Sequence, residues 1–529
     1  MFALLAALAT VTKPLGGYMA RVYTGRRTRL HSVLRPIERA CYVAAGVRTS
    51  EQTWTAYAAS VLAFGLTGVV TLYALLRLQP HPLSPHLAFN TAVSFVTNTS
   101  WQSYAGETTL NAWSQMLGIA VQSFVSCGVS MAVAVALFRG IATAQGAGTI
   151  GNFWVDFTRS VVYVLLPLSM AAAVALAGLG VIQNLASSAR VVTLEGPAQA
   201  IAQGPVASQE AIKLLSSDGG GFFNASSAHP YENPTPLSSF LSMFLILVIP
   251  ASMTYTFGRI VQDTRQGWTM FVAMALLLTV GFAAVNFAER GNWEGKDLRF
   301  GTAGAGLFAE VATASSSGAG NGALGSFTPL GVLVLLINMH TGEVVFGGPG
   351  SGMYSMLVLV LLTIFIAGLM VGRTPEYLGQ KIEKYEVKMV TLAMLLTSAA
   401  LLFLAATDVS RPAFDAVTQQ GPRGFTESLY AFTSAVANNG SAMAGLNANN
   451  PWYDTLLALG MLAGRYLVIL PVLAIAGSLA RKKRYTMEGA MPTHGFVFGL
   501  LLCAVTLLVT GITYLPAFFL GPLAEYFQR

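Results

Sequence analysis

Apolar positions along this chain come in long blocks rather than in the short alternations of a soluble sheet. A bilayer core of about 30 Å needs about 20 apolar residues in helix. Nine blocks qualify, at roughly 54–78, 113–138, 157–182, 236–260, 268–288, 352–372, 388–407, 453–480 and 495–518. A tenth, shorter one opens the chain at Met1–Lys13. It lacks the basic region that precedes the apolar run of a signal peptide, so it reads as a first span that stays. The pattern predicts an all-α polytopic membrane protein with about ten transmembrane helices.

Composition agrees. Of 529 residues, 54% are hydrophobic and 10% charged, against about 25% charged in a soluble domain. The net charge of +7 would suit a nucleic-acid binder, but the basic residues gather at the ends of apolar blocks. Arg21, Arg26, Arg27, Arg29, Arg35, Arg39 and Arg48 follow the first span. Arg373, Lys381, Lys384 and Lys388 follow the seventh, and Arg481, Lys482, Lys483 and Arg484 the ninth. Residues 79–112 hold neither Lys nor Arg. If every span crosses, the basic segments share one side, which the positive-inside rule makes cytoplasmic, with both termini outside. Cys41, Cys127 and Cys503 are too scattered for a disulfide framework or redox pair, and the six histidines show no metal spacing.

The outside segments 79–112, 183–235, 289–351 and 408–452 share an order of elements. Each holds an apolar stretch too short to span, then a cluster of Gly, Asn, Ser or Thr. Leu87–Val96 leads into Thr97, Asn98, Thr99 and Ser100, with Gln102 just beyond. Val206–Leu215 leads into Ser217, Asp218, Gly219, Gly220 and Gly221. Phe327–Glu343 leads into Gly347, Gly348, Pro349 and Gly350. Phe425–Val436 leads into Asn438, Asn439, Gly440 and Ser441. Short apolar segments can be re-entrant, and irregular backbone at membrane depth is tolerated where it is buried or lines a water-filled path. Four short helices ending at mid-membrane would turn their partially negative C-termini on one axis. Carbonyl rings on the following strands would replace the hydration shell of a dehydrated potassium ion. The pattern predicts helix–pore loop–helix four times, in pseudo-fourfold arrangement, although the copies share little sequence beyond Ser94-x-Val96-x-Asn98 beside Ser434-x-Val436-x-Asn438.

Five strings, Asn90–Glu107, Gly219–Pro234, Gly342–Gly352, Gly372–Gly379 and Ala437–Gly445, resemble the KdpA family, the potassium-binding subunits of the bacterial Kdp potassium-importing ATPase. The resemblance covers nearly the whole chain. It implies the fold of the superfamily of potassium transporters, with repeats at 54–138, 157–260, 268–372 and 388–480, flanked by 1–53 and by a further helix at 495–518. It implies a bacterial inner-membrane complex. A KdpB-like P-type ATPase subunit would hydrolyse ATP with Mg2+, and KdpC-like and small KdpF-like subunits would complete it. Potassium would enter the filter from outside and reach the ATPase subunit through an intersubunit tunnel. The sequence departs from the family in three places. Ser217-Asp218 stand where Thr-Asn is usual, Ser100 where Asn is, and Pro349 where Val is frequent. Asp218, if ionised next to the filter, would raise cation affinity and loosen selectivity.

Several single residues invite two readings. Arg465 falls near the middle of the ninth span, where an arginine is costly and points to function or to a buried partner. The resemblance places it below the filter, as a block against leak. Gln102 resembles a residue that shapes ion discrimination, or is a supporting amide. Glu343 adds cation attraction or pairs locally. Gly368 and Gly372 mark a broken, mobile segment or a close helix contact. His229-Pro230 reads as structural, and Arg481–Arg484 as a topology anchor that also suits anionic lipid or the ATPase partner.

Gly291–Asp297 has neither the spacing nor the ending of a phosphate-binding loop, and Asp-Lys-Thr-Gly is absent. ATP hydrolysis is therefore assigned to the partner. An autonomous Trk/Ktr-type channel-like transporter is the alternative with the same fold. A secondary transporter would favour inverted repeats and a midplane carboxylate, and a membrane-embedded hydrolase would need a catalytic set the spans lack.

Overall fold

The computed structural model describes residues 1–143, 146–186, 188–411, 416–443, 445–484 and 492–528. Ala444, within one of the strings above, lies outside them. Among the described residues ten helices are long and apolar enough to cross a membrane. In chain order the helices are α1 (Phe2–Tyr23), α2 (His31–Ala44), α3 (Trp54–Leu78), α4 (Pro85–Val96), α5 (Ser114–Ala142) and α6 (Phe153–Gly178). Then come α7 (Val206–Ser216), α8 (Pro236–Ile260), α9 (Thr264–Ala288), α10 (Gly301–Ala314) and α11 (Pro329–His340). The last five are α12 (Ser351–Val371), α13 (Lys384–Val409), α14 (Pro422–Ala437), α15 (Pro451–Ala480) and α16 (Phe496–Gln528). A small hairpin of β1 (Ala189–Val192) and β2 (Ala198–Ile201) lies between α6 and α7.

Helix starts are written locally. Thr53 and Asn450 cap α3 and α15 through their side chains, Thr235 and Ser238 form a reciprocal capping box on α8, and Ser84 followed by Pro85 opens α4.

Burial sorts the spans into two shells. The first helices of the four repeats, α3, α6, α9 and α13, are 22, 39, 33 and 28% buried over their apolar windows. The second helices, α5, α8, α12 and α15, are 83, 78, 61 and 50% buried. The second helices therefore surround the centre and the first helices face outward. Such a helix can be apolar all round, because lipid on one side and protein on the other both select apolar side chains. The extra helix α1 lies on α8 so closely that a Cβ on Gly16 would sit 2.5 Å from the Ser252 carbonyl oxygen. Near the basic connections, Arg139 of α5 grips Asp156 of α6 with two bonds of 2.6 and 2.7 Å. Tyr57 of α3 donates to the same carboxylate at 3.2 Å.

The third repeat differs from expectation. The stretch 327–343 is not its re-entrant helix. That place belongs to α10, and α11 and α12 are two pieces of the region before and after a break at 341–350. Gly368 and Gly372 are not the break. Helix α12 runs through Gly368 and ends at Gly372, a left-handed C-cap with φ 69°.

Candidate functional site

Four short helices, α4, α7, α10 and α14, end in the same backbone conformation. The residues Asn98, Ser217, Ser316 and Asn438 have φ of 61, 52, 70 and 59°, left-handed values that non-glycine residues rarely adopt. The next N–H folds back onto the last turn each time. Thr99 donates to the Ser94 carbonyl at 2.9 Å, Asp218 to Lys213 at 2.9 Å, Ser317 to Ala312 at 3.0 Å and Asn439 to Ser434 at 2.8 Å. These are six-to-one closures, and they give four loops one shape on four different sequences.

The loops then close on one another in order. Asn98 Nδ2 of the first donates to the Ser216 carbonyl of the second at 3.1 Å. Ser317 Oγ of the third donates to the Asp218 carbonyl at 2.9 Å. Asn439 Nδ2 of the fourth reaches the Ala312 carbonyl at 3.2 Å. Asn438 Nδ2 donates to Thr99 Oγ1 of the first at 2.9 Å. Glycine permits the approach. A Cβ on Gly219 would lie 2.9 Å from Gly318 Cα, and one on Gly220 2.7 Å from the Ser100 oxygen. The closest neighbour of a Cβ on Gly440 would be the Thr99 oxygen. Ser100, with φ 58°, stands where the other loops carry Gly219, Gly318 and Gly440.

Supporting contacts are polar and buried. Gln102 Oε1 accepts the Gly221 N–H at 3.0 Å, so this amide links the first loop to the second. Thr97 and Thr99 share a hydroxyl contact of 2.8 Å, as do Tyr430 and Ser441. Asp218 is fully buried and faces the hydroxyls of Ser100, Ser216 and Ser123, with the charge of Arg465 nearby. His229 stacks on Phe223 with centroids 3.7 Å apart. Lys482 pairs with Glu383 and Glu386 at 3.0 and 2.8 Å, fastening the basic end of α15 to the start of α13.

Gly347, Gly348, Pro349 and Gly350 do not join the ring. They form the buried turn that enters α12, where a Cβ on Gly350 would meet the Ser130 carbonyl oxygen of α5. The third place is taken by Ser315–Ala319. The break reaches the ring through Glu343, which accepts from Asn439 Nδ2 at 3.0 Å and from the Ser316 hydroxyl. Sequence reasoning missed Ser316, Ser317 and Gly318. Their signal was the triplet Ser-Ser-Gly, one position away from Ser-Asp-Gly of the second loop and two from Asn-Asn-Gly of the fourth.

Beneath the ring is a cavity of about 310 Å³, reached by Asn98, Ser316, Glu343, Asn438 and Arg465. Arg465 is buried, and its Nη2 donates to the Ser126 carbonyl at 2.9 Å. Among the described residues no carboxylate lies within 4.0 Å of it. The preceding Gly464 brings α15 against the end of α14, since any Cβ there would strike the Val436 carbonyl oxygen. That contact sets α15 against the fourth short helix, and from there the guanidinium reaches Ser126 of α5. The arrangement offers closely spaced carbonyl and hydroxyl oxygens at the ring and a fixed positive charge under it.

The fold is shared with the potassium transporter TrkH from Vibrio parahaemolyticus, with a TM-score of 0.57 at 15% identity over 79% of this chain and 84% of that one. Relatives named potassium-transporting ATPase potassium-binding subunit match end to end. The one from Solibacter usitatus is 50% identical over 100% of this chain and 97% of its own length. The one from Methylorubrum extorquens is 52% identical over 99% and 96%. The family described as potassium-transporting ATPase A subunit matches residues 2–527. On that whole-length match, and with the ring of four loops in place, the chain belongs to the KdpA family.

Proposed function

We propose that this chain takes potassium from the outer side of a bacterial inner membrane into the four-loop ring. It then passes the ion, below the ring, to a KdpB-like P-type ATPase subunit that hydrolyses ATP with Mg2+. KdpC-like and small KdpF-like subunits complete the assembly, and both termini face outward. The observation that carries this reading is the set of four identically capped short helices whose loops close in sequence order. Their aligned C-termini favour a cation, and the loop oxygens suit a dehydrated potassium ion. Thr99, Ser100, Asp218, Gly219, Ser317, Gly318, Asn439 and Gly440 form the narrow part. Thr97, Asn98, Gln102, Ser217, Gly220, Gly221, Asn438 and Ser441 hold it in shape. Arg465 bars the straight path to the cytoplasm, so that the ion leaves sideways.

The test is potassium-stimulated ATP hydrolysis by the purified chain alone and co-expressed with its neighbouring ATPase subunits. Activity confined to the assembled complex, and lost with Gly220→Val, supports the reading. The likeness to TrkH favours a second one, an autonomous Trk/Ktr-type transporter. Passive potassium flux through liposomes holding this chain alone would select it.

A further inference from the structure

The second loop differs from the other three in what stands behind it. Lys213, four residues before the left-handed Ser217, is buried on α7. Its ammonium lies 2.5 Å from Glu210 Oε2, one turn back, and 2.8 Å from Glu232 Oε2, which arrives from the chain beyond the loop. The side chains of all three are no more than 2% exposed. The second oxygen of each carboxylate is also engaged. Glu232 Oε1 accepts the Phe223 N–H at 2.9 Å, and Glu210 Oε1 accepts the Ser227 hydroxyl at 3.1 Å. No ion pair of this kind stands at the ring end of the other three short helices among the described residues.

The strand that follows Ser217 is thereby held at two heights from two sides. Gln102 of the first loop holds the Gly221 N–H at 3.0 Å, and Glu232 holds the Phe223 N–H from behind. Beyond them Glu107 of the first loop accepts the Asn224 N–H at 2.9 Å. Gly221 carries no side chain because one would meet Glu232 Oε1 at 2.9 Å and Lys213 Nζ at 3.2 Å. The ammonium is thus within one methyl group of the strand. Alone it would repel a cation in the ring. The two carboxylates pair the ammonium, so that it does not stand bare behind the strand. Each half of the cluster needs the other, because an unpaired charge in this setting is strongly disfavoured.

We infer that Glu232, held in place by Lys213 and Glu210, is a positioning residue that fixes the second wall of the ring and sets its discrimination between potassium and the larger rubidium ion. A wall anchored at Gly221 and Phe223 does not widen to suit a larger ion. The third and fourth loops are tied by Glu343 through the side chains of Ser316 and Asn439, not through a backbone N–H of the loop wall, and no ion pair stands behind them among the described residues. The inference rests on the potassium reading above.

The experiment measures KM and maximal rate of ion-stimulated ATP hydrolysis by the whole purified complex, with potassium and with rubidium. Glu232→Ala removes the Phe223 anchor. It is expected to raise the potassium KM about tenfold, bring the rubidium-to-potassium KM ratio toward one, and leave the maximal rate within about twofold. Glu232→Gln, whose amide oxygen still accepts the Phe223 N–H, should keep the ratio near that of the unaltered complex. An assembled Glu232→Ala complex with unchanged KM and ratio overturns the inference. If that variant does not assemble, the double substitution Lys213→Met, Glu210→Gln is measured. It frees Glu232 from its partner, and a ratio that falls by less than about twofold overturns the inference equally. An unaltered complex with no potassium stimulation at all would bring down the functional reading, and this inference with it, whereas a loss of discrimination confined to the variants bears on this inference alone.

Discussion

Gly318 and Gly440 meet backbone to backbone: a Cβ on Gly318 would stand 2.4 Å from the Gly440 carbonyl carbon. Nothing larger than hydrogen fits between the third and fourth loops. Gly318→Ala is therefore expected to push the loops apart and to raise the KM for potassium in ATP hydrolysis by tenfold or more, roughly 1.4 kcal/mol of lost ion binding. The same substitution at Gly342, where a Cβ would meet nothing within 4 Å, is the control. Its positive φ of 81° makes it a test of backbone strain without crowding. Equal KM values for the two variants would refute the crowding argument.

Asp218 faces three hydroxyls with a cationic Arg465 nearby. Asp218→Asn keeps the size and replaces a group able to carry a charge by a neutral amide. Potassium KM is expected to rise several-fold while discrimination against rubidium sharpens, because a formal charge attracts cations with less regard to size than oriented dipoles do. Transport affinities for both ions decide it; an unchanged ratio sinks the idea.

Arg465 donates to the Ser126 carbonyl and lines the cavity beneath the ring. Arg465→Ala leaves that space without its fixed charge. Patch recordings or liposome flux on the assembled complex should then show ATP-independent potassium leak. A silent complex would mean that the break at 341–350, and not the arginine, closes the path.

Much of the fold was legible because a membrane span is a property of composition over twenty residues, and Trp54–Leu78 and Pro236–Ile260 fall where the apolar blocks do. The third short helix was not legible. Its sequence carries Gly301, Gly304 and Gly306, poor helix formers, and Glu310, which looks foreign to a membrane interior. In the structure Glu310 is buried and accepts from Asn338 Nδ2 at 2.9 Å, a partner 28 residues away that no local pattern announces. The apolar run of α11 followed by glycines imitated the missing motif. Gln102 and Arg465 were found in sequence, but their contacts with Gly221 and Ser126 depend on packing between repeats.

Glu343 joins the break to two loops of the ring, through Ser316 and Asn439. Glu343→Ala should loosen the third and fourth loops together. We expect a raised potassium KM, with recovery in Glu343→Gln, whose amide oxygen can still accept from Asn439. If Gln and Ala behave alike, the carboxylate acts through its charge.

Away from the ring, Arg139 and Asp156 tie α5 to α6 with paired bonds of 2.6 and 2.7 Å. Asp156→Ala leaves a partly buried guanidinium with the Tyr23 carbonyl as its remaining partner. Breaking a fully buried pair on one side costs about 3–5 kcal/mol, and the partial exposure of Arg139 places this pair below that range. The thermal midpoint of the complex is expected to fall by several degrees, with the potassium KM of the surviving enzyme unchanged.

The ring is built from four loops of one chain, closed in order through Asn98, Ser317, Asn439 and Asn438. In a homotetramer every substitution arrives four times, and symmetry forbids a graded change. Here each quarter is inherited separately. Ser100 can replace a glycine-like position in one quadrant, and Asp218 can introduce a carboxyl group in another, without copying either around the axis. The height of Thr99, Asp218, Ser317 and Asn439 in this ring presents four different neighbours. Under the proposed function, affinity can thus be adjusted in steps of a single contact.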